Sequence, residues 1–249
     1  MSEKSVESAK IIEIAEGFYL RQAVDNIAWM DMGDGVLIVD ALEQERLESE
    51  IIAAIRDTMG DRPVEYVLNT HPHYDHVALN NAFAEHFGAK VFNARIAEIP
   101  SGGRWFEGPK RKVHMIPMGG THTTEDCIVW VPGDRVLFTG DIFGWGLIPT
   151  SRPLKDAVVE RIDQVYQRMI ELDPETVIPG HGPTCAKAEL QRWVTYFHDL
   201  LEQVPRLKEQ GMDASAIQDA IDPPEDMKDW WRFTDWKHED SVSKVIKSC

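Results

Sequence analysis

Three histidines and one aspartate fall within six residues of the chain, in His71-Pro72-His73-Tyr74-Asp75-His76. The chain holds nine His and 21 Asp, and a random shuffle of it would produce that pattern about once in a thousand times. Just before it runs Val64-Glu65-Tyr66-Val67-Leu68, an apolar, β-branched stretch that predicts a buried strand. The cluster therefore sits at the carboxyl end of a strand, where the loops of α/β folds carry chemistry. Residues i and i+2 of an extended segment point the same way, so His71 and His73 can converge on one ion. Asp75 and His76 lie past the strand end, where the chain turns, and can face a second ion. Imidazole and carboxylate together suit zinc, and also iron or manganese.

Three further ligand candidates end strand-like runs or sit in glycine-flanked loops. They are His122 in Gly119-Gly120-Thr121-His122-Thr123, Asp141 after Val136-Leu137-Phe138-Thr139-Gly140, and His181 in Pro179-Gly180-His181-Gly182. In this order, H-x-H-x-D-H followed by His, Asp and His, the chain resembles the metallo-β-lactamase-fold hydrolases over roughly residues 10–185. The resemblance implies an αββα sandwich with a metal pair at one edge. It implies that His71, His73 and His122 bind one metal, that Asp75, His76 and His181 bind the other, and that Asp141 bridges them. The implied chemistry is attack on a substrate carbonyl by a metal-bridging hydroxide, with Asp75 orienting the nucleophile and the metals, zinc first, stabilising the oxyanion. Two M²⁺, two Asp and one hydroxide sum to a cationic centre, which favours anionic substrates.

A bridging Asp141 resembles the glyoxalase II and lactonase branches; the first type of metallo-β-lactamase carries Cys there. Glyoxalase II also has a basic glutathione-binding stretch after its bridging Asp, where this chain has Phe143-Gly144-Trp145-Gly146. In place of the glycines that commonly follow the motif stand Val77, Ala78 and Leu79. Rival expectations are a mononuclear-iron oxidoreductase like the persulfide dioxygenases, a phosphodiesterase of the same fold, and a non-catalytic binding protein. The chain lacks the Gly-Cys-Gly-Arg-like stretch of the first.

Composition narrows the setting. A formal charge of −16, from 26 basic and 42 acidic residues, disfavours nucleic-acid binding, which needs basic clusters. Lys110-Arg111-Lys112 reads as a solvated loop or strand edge. The first ten residues are polar with no apolar h-region, and no run is long enough to span a bilayer. Three cysteines without metal spacing, Cys127, Cys185 and Cys249, fit a reducing cytoplasm.

The elements that must position the ligands follow from periodicity. Strands are expected over 10–40, with Asp40 ending one of them and hydrogen-bonding loop backbone or a ligand histidine. A helix over Glu43 to Met59, a βαβ unit through Ala89–Asn93, a hairpin delivering Asp141, a helix over Asp156 to Leu172 and a short strand delivering His181 complete a catalytic unit, residues 1–185. Residues 186–249 form a helical extension. Two loops could shape substrate binding. One is Ile96 to Lys112, where Trp105 and Phe106 either cover the substrate or plug the core; the other carries Trp145. Tyr74 either polarises a substrate carbonyl or packs outside its loop. Trp230, Trp231, Phe233 and Trp236 need burial, by docking on the main unit, lining the pocket or forming a homodimer. The expectation is a small-molecule hydrolase of lactone, thioester or related bonds.

Overall fold

The computed structural model describes residues 9–42, 44–95 and 99–249. Glu43, the expected start of the first helix, and Ile96, the expected start of a long loop, lie outside them. In chain order the elements are β1 (Lys10–Ala15), β2 (Phe18–Gln22), β3 (Ile27–Asp31), β4 (Val36–Val39), α1 (Glu48–Met59), β5 (Val64–Leu68), α2 (Tyr74–Val77), α3 (Asn80–Phe87) and β6 (Lys90–Phe92). Then come β7 (Arg104–Glu107), β8 (Lys112–Pro117), β9 (Cys127–Val131), β10 (Val136–Gly140), α4 (Asp156–Glu171), β11 (Thr176–Pro179), α5 (Lys187–Glu209), α6 (Ala214–Ala220) and α7 (His238–Ser248).

The strands form two sheets, ordered β1-β2-β3-β4-β5-β6 and β11-β10-β9-β8-β7. Each is antiparallel except where a helix crosses over: β4, β5 and β6 run parallel, as do β10 and β11. Alternation sorts the side chains into layers. Ala28, Met30, Leu37 and Val39 face Cys127, Val129, Val136 and Phe138 between the sheets. Trp29, Ile38 and Val67 face outward onto Ile51, Ile55 and Phe83 of α1 and α3. Ile128, Trp130 and Leu137 face the other way, onto Ile162, Tyr166, Trp193 and Phe197 of α4 and α5. The result is the expected αββα sandwich. The same outer cluster runs on through Ile217, Phe233 and Val242, so the C-terminal helices share a core with the second sheet.

One expectation fails. Residues 104–107 are an edge strand paired to β8, not a loop over the site. Glycine and proline on both sides predict a loop, but four residues between turns are enough for a strand. Its alternation buries Phe106 against Tyr66 and Phe92, at centroid distances of 5.1 Å each. Trp105 points away, half-exposed and stacked on His114 at 4.0 Å. Neither residue lines the metal-facing cleft described below.

The basic triplet is neutralised locally: Lys110 pairs with Asp31, Arg111 with Asp134 and Lys112 with Glu107. Buried Asp31 also pairs with Arg62 and accepts the Gly33 N–H. Burial alone would raise its carboxyl, but Lys110 and Arg62 outweigh it and bring it to about 2. A depressed carboxylate stabilises the fold above its ordinary range and loses that contribution as pH falls toward 2. Because both cations are about half exposed, solvent screening reduces the contribution to about 1–2 kcal/mol. Urea unfolding at pH 6 and pH 2.5 should therefore show a smaller acid loss in Asp31→Asn than in wild type.

Candidate metal centre

Strand ends deliver the candidate ligands, and a shell of buried polar groups aims them. After β5 the chain is pinned by Asn69, whose Nδ2 donates to the His76 carbonyl at 2.9 Å and whose Oδ1 accepts from Asn80 and Asn93. His73 is extended (φ −69°, ψ 151°) and caps the single turn of α2, which brings Asp75 and His76 back toward the strand end. Val77-Ala78-Leu79 does not disturb this. The Ala78 and Leu79 N–H groups donate to Leu42 and Ala41, and the Leu79 side chain is buried under α1 and α3.

The seven candidate ligands converge in two groups, His71, His73 and His122, and Asp75, His76, Asp141 and His181. In the first, His73 Nδ1 lies 3.1 Å from His71 Nε2 and 3.0 Å from His122 Nε2. In the second, His181 Nε2 lies 3.1 Å from Asp75 Oδ2 and 3.4 Å from Asp141 Oδ1, with His76 Nε2 3.3 Å from that same oxygen. Asp141 spans the groups: its Oδ2 is 3.6 Å from His122 Nε2 and 3.9 Å from His71 Nε2.

The far nitrogens of three of these histidines are engaged. His76 Nδ1 meets Asp40 Oδ2 at 3.0 Å, His122 Nδ1 donates to the Pro149 carbonyl at 2.8 Å, and His181 Nδ1 meets Asp25 Oδ1 at 3.1 Å. These partners fix the tautomers that leave a lone pair toward the centre. Asp40 plays the part expected of it and also accepts the Thr70 N–H at 2.8 Å.

The residues fit a metal pair. His76 Nε2 and Asp141 Oδ1 are buried, close together and without a hydrogen-bond partner among the described residues. Leaving such atoms unmet costs about 1–3 kcal/mol each, and a cation between them removes the cost. A three-imidazole set beside a mixed imidazole–carboxylate set is also the donor chemistry of zinc, iron or manganese. The charge balance agrees. Burial, reinforced by His76, pushes His71 down to about 2, so it is neutral. Burial would raise Asp75 and Asp141, but the histidines around them hold Asp75 at about 2 and Asp141 well below the carboxylate range. Burial opposes a charge on His76, yet Asp40 and Asp141 outweigh it and push it up to about 10. Without a metal, a proton balances these carboxylates.

Two of the aiming residues were not foreseen. Asp126 is buried and its carboxylate accepts from the His122 N–H at 2.9 Å and the Thr121 hydroxyl at 2.7 Å. Asp25 reaches His181 across 156 residues of chain, while Asn26 Nδ2 donates to the Pro179 and Gly182 carbonyls, each at 2.8 Å. Asp25→Asn should leave the fold intact and weaken the affinity of the Asp75–His76–His181 cluster roughly 10–100-fold, as read by competition with a chromogenic chelator.

The clusters open into a cleft of about 510 Å³, whose floor includes His73, His122, Asp141 and His181. Phe143, Leu147, Trp231 and Trp236 form apolar walls. Tyr74 stands outside, more than half exposed, its hydroxyl donating to Glu45 at 3.3 Å. Trp145 is buried behind the wall; its Nε1 donates to the Pro183 carbonyl and its ring meets Trp230 edge-on. Neither Tyr74 nor Trp145 is among the residues that line the cleft. The C-terminal aromatics divide: Trp230 and Phe233 dock on the chain's own core, and Trp231 and Trp236 line the cleft. A larger hollow of about 630 Å³ around Pro109 and Pro132 contains the paired Arg111 and Asp134 and none of the ligands.

Two sheets between helices, with paired imidazole–carboxylate clusters at one edge, define an αββα metal-binding protein. The chain belongs to the metallo-beta-lactamase superfamily, whose family model matches residues 25–114 and 93–181. It is 28% identical over 206 residues to a hydroxyacylglutathione hydrolase of Rhodobacter capsulatus, covering 75% of each chain. Among solved structures it is similar to a metallo-beta-lactamase from Pontibacter korlensis, with a TM-score of 0.61 at 17% identity, covering 76% of this chain and 98% of that one. It is also similar to the sec-alkylsulfatase Pisa1 of a Pseudomonas species, with a TM-score of 0.74 at 14% identity. That match covers 96% of this chain, which spans half the length of Pisa1. Members of the family are mostly hydrolases and bind divalent metals. Among the described residues, no helix is long and apolar enough to cross a membrane.

Proposed function

We propose that the protein is a dinuclear metal-dependent hydrolase that cleaves an ester-like carbonyl bond, a lactone or a thioester. The observation that carries this is Asp141, with one oxygen facing His76 and His181 and the other facing His71 and His122. A single carboxylate so placed can serve two ions at once. His71, His73 and His122 would hold one and Asp75, His76 and His181 the other, zinc first. When bound, such a pair acidifies water toward neutral pH and polarises a carbonyl. The chain's own part is positional. Asp75 stays ionised and orients the attacking water. Asp40, Asp25 and the Pro149 carbonyl hold three imidazoles in register. Phe143, Leu147, Trp231 and Trp236 give the organic part of a substrate an apolar wall and limit competing water.

The relative named hydroxyacylglutathione hydrolase supports a thioester among the candidates. The test is a hydrolysis screen of metal-replete protein over lactones, thioesters, phosphoesters and β-lactams, with elemental analysis of the same sample. Two zinc ions per chain and turnover of a lactone or thioester are expected. One iron per chain with oxygen uptake and no hydrolysis would replace this proposal with an oxidoreductase.

A further inference from the structure

The part of the cleft wall built by the C-terminal segment is basic within an acidic protein. Arg232, Lys237 and Lys244 line it, and the one carboxylate among the described lining residues is Asp141, already committed to the metal clusters. Lys244 is occupied, donating to the Ile148 carbonyl at 2.8 Å and pairing with Asp240 at 2.8 Å. Lys237 differs. It is 2% exposed, on a single π-helical turn, Phe233–Lys237, a geometry that recurs at functional sites. Its ammonium lies 4.0 Å from the Trp231 ring centroid and 5.8 Å from that of Trp236. Among the described residues, no carboxylate comes within ion-pair distance of it. Ring faces offset part of the desolvation of a cation, but a buried ammonium still calls for a counter-charge. Burial, with Arg232 nearby, lowers Lys237 to about 7 against the pull of Asp141.

Trp231 supplies a second unmet donor. Its Nε1 is buried and has no acceptor among the described residues. The Arg232 guanidinium lies 4.6 Å from the same ring centroid. The indole is also fixed in place: a Cβ on Gly182, beside His181, would fall 2.6 Å from Trp231 Cδ2, so only glycine lets the ring approach the ligand loop this closely. Lys237 thus offers the cleft a buried ammonium with no counter-charge of its own among the described residues, beside an unmet indole N–H.

We propose that Lys237 is a specificity-determining residue that anchors a carboxylate of the substrate beside Trp231, while the ester-like bond lies over the metal clusters. That the anchored molecule is a substrate rests on the hydrolase proposal; the anion site itself does not.

The test is therefore a binding measurement without turnover. Wild type, Lys237→Met and Lys237→Arg, loaded to equal metal content, are titrated with phenylacetate and with its neutral analogue phenylacetamide, followed by tryptophan fluorescence and calorimetry. Wild type should bind the acid at least about tenfold tighter than the amide. Lys237→Met should lose that preference without weakening the amide, and Lys237→Arg should keep part of it. Lys237→Met should also melt no lower than wild type, because a buried charge is removed and an apolar chain of similar length replaces it. If Lys237→Met binds phenylacetate as wild type does, the carboxylate sits on the metals and the proposal is overturned. Equal binding of acid and amide by wild type overturns it too. Failure to hydrolyse any ester would count against the hydrolase proposal and leave these binding results standing.

Discussion

Asp141→Ala will retain the fold and lose both metal stoichiometry and hydrolysis. The side chain lies at the end of β10, where its backbone is set by sheet pairing and by the bond from the Gly180 N–H to the Gly140 carbonyl, 3.0 Å long. Removing the carboxylate therefore takes away charge and ligand atoms, not an element of the core. It takes them from both clusters at once, because Oδ1 faces His76 and His181 while Oδ2 faces His71 and His122. Loss of a group that merely orients a ligand costs about 10–100-fold in metal affinity, so loss of a shared ligand should exceed about a hundredfold. Elemental analysis after dialysis and a steady-state hydrolysis assay read the two effects separately. Full metal content with activity intact would remove Asp141 from the centre.

Gly180→Ala should be nearly as severe, for a steric reason. A methyl there would overlap Asp141 Oδ1 and fall 2.6 Å from His76 Cε1, with the Gly140 carbonyl carbon at 3.2 Å. Gly180 does not adopt the left-handed backbone that resists a side chain, so alanine strains the site, not the local chain. The carboxylate or the ring must move, and a displacement near 1 Å at such a centre costs on the order of a hundredfold in rate. Gly133→Ala is the control, since a methyl there meets nothing within 4 Å. Circular dichroism should be unchanged in both variants, with activity lost only in Gly180→Ala.

The candidate ligands are legible in the sequence because metal chemistry restricts residue type and because each sits at the end of an apolar run or in a glycine-flanked loop. Asp40 is legible for the same reason, standing at the end of a predicted strand. The groups that aim the ligands are harder to find. Asp25 works across the whole sandwich, and nothing in Ala23-Val24-Asp25-Asn26 announces that it will meet His181. Asp126 does carry a local signal: an aspartate a few residues after Thr-His-Thr can accept several N–H groups of its own loop. Trp105 and Phe106 mislead because glycine and proline mark the turns around them and conceal the short strand between. The C-terminal segment is ambiguous for another reason. Four aromatics predict burial, but only the fold separates Phe233, in the core, from Trp231 and Lys237, at the cleft.

On the proposal made above, seven side chains hold two divalent ions. Mass spectrometry of zinc-loaded, dialysed protein reads the stoichiometry in wild type, His122→Ala and His181→Ala. Two ions per chain are expected in wild type and about one in each variant, since each histidine belongs to a different cluster. A wild type that retains one ion or none, or variants that retain two, would contradict it.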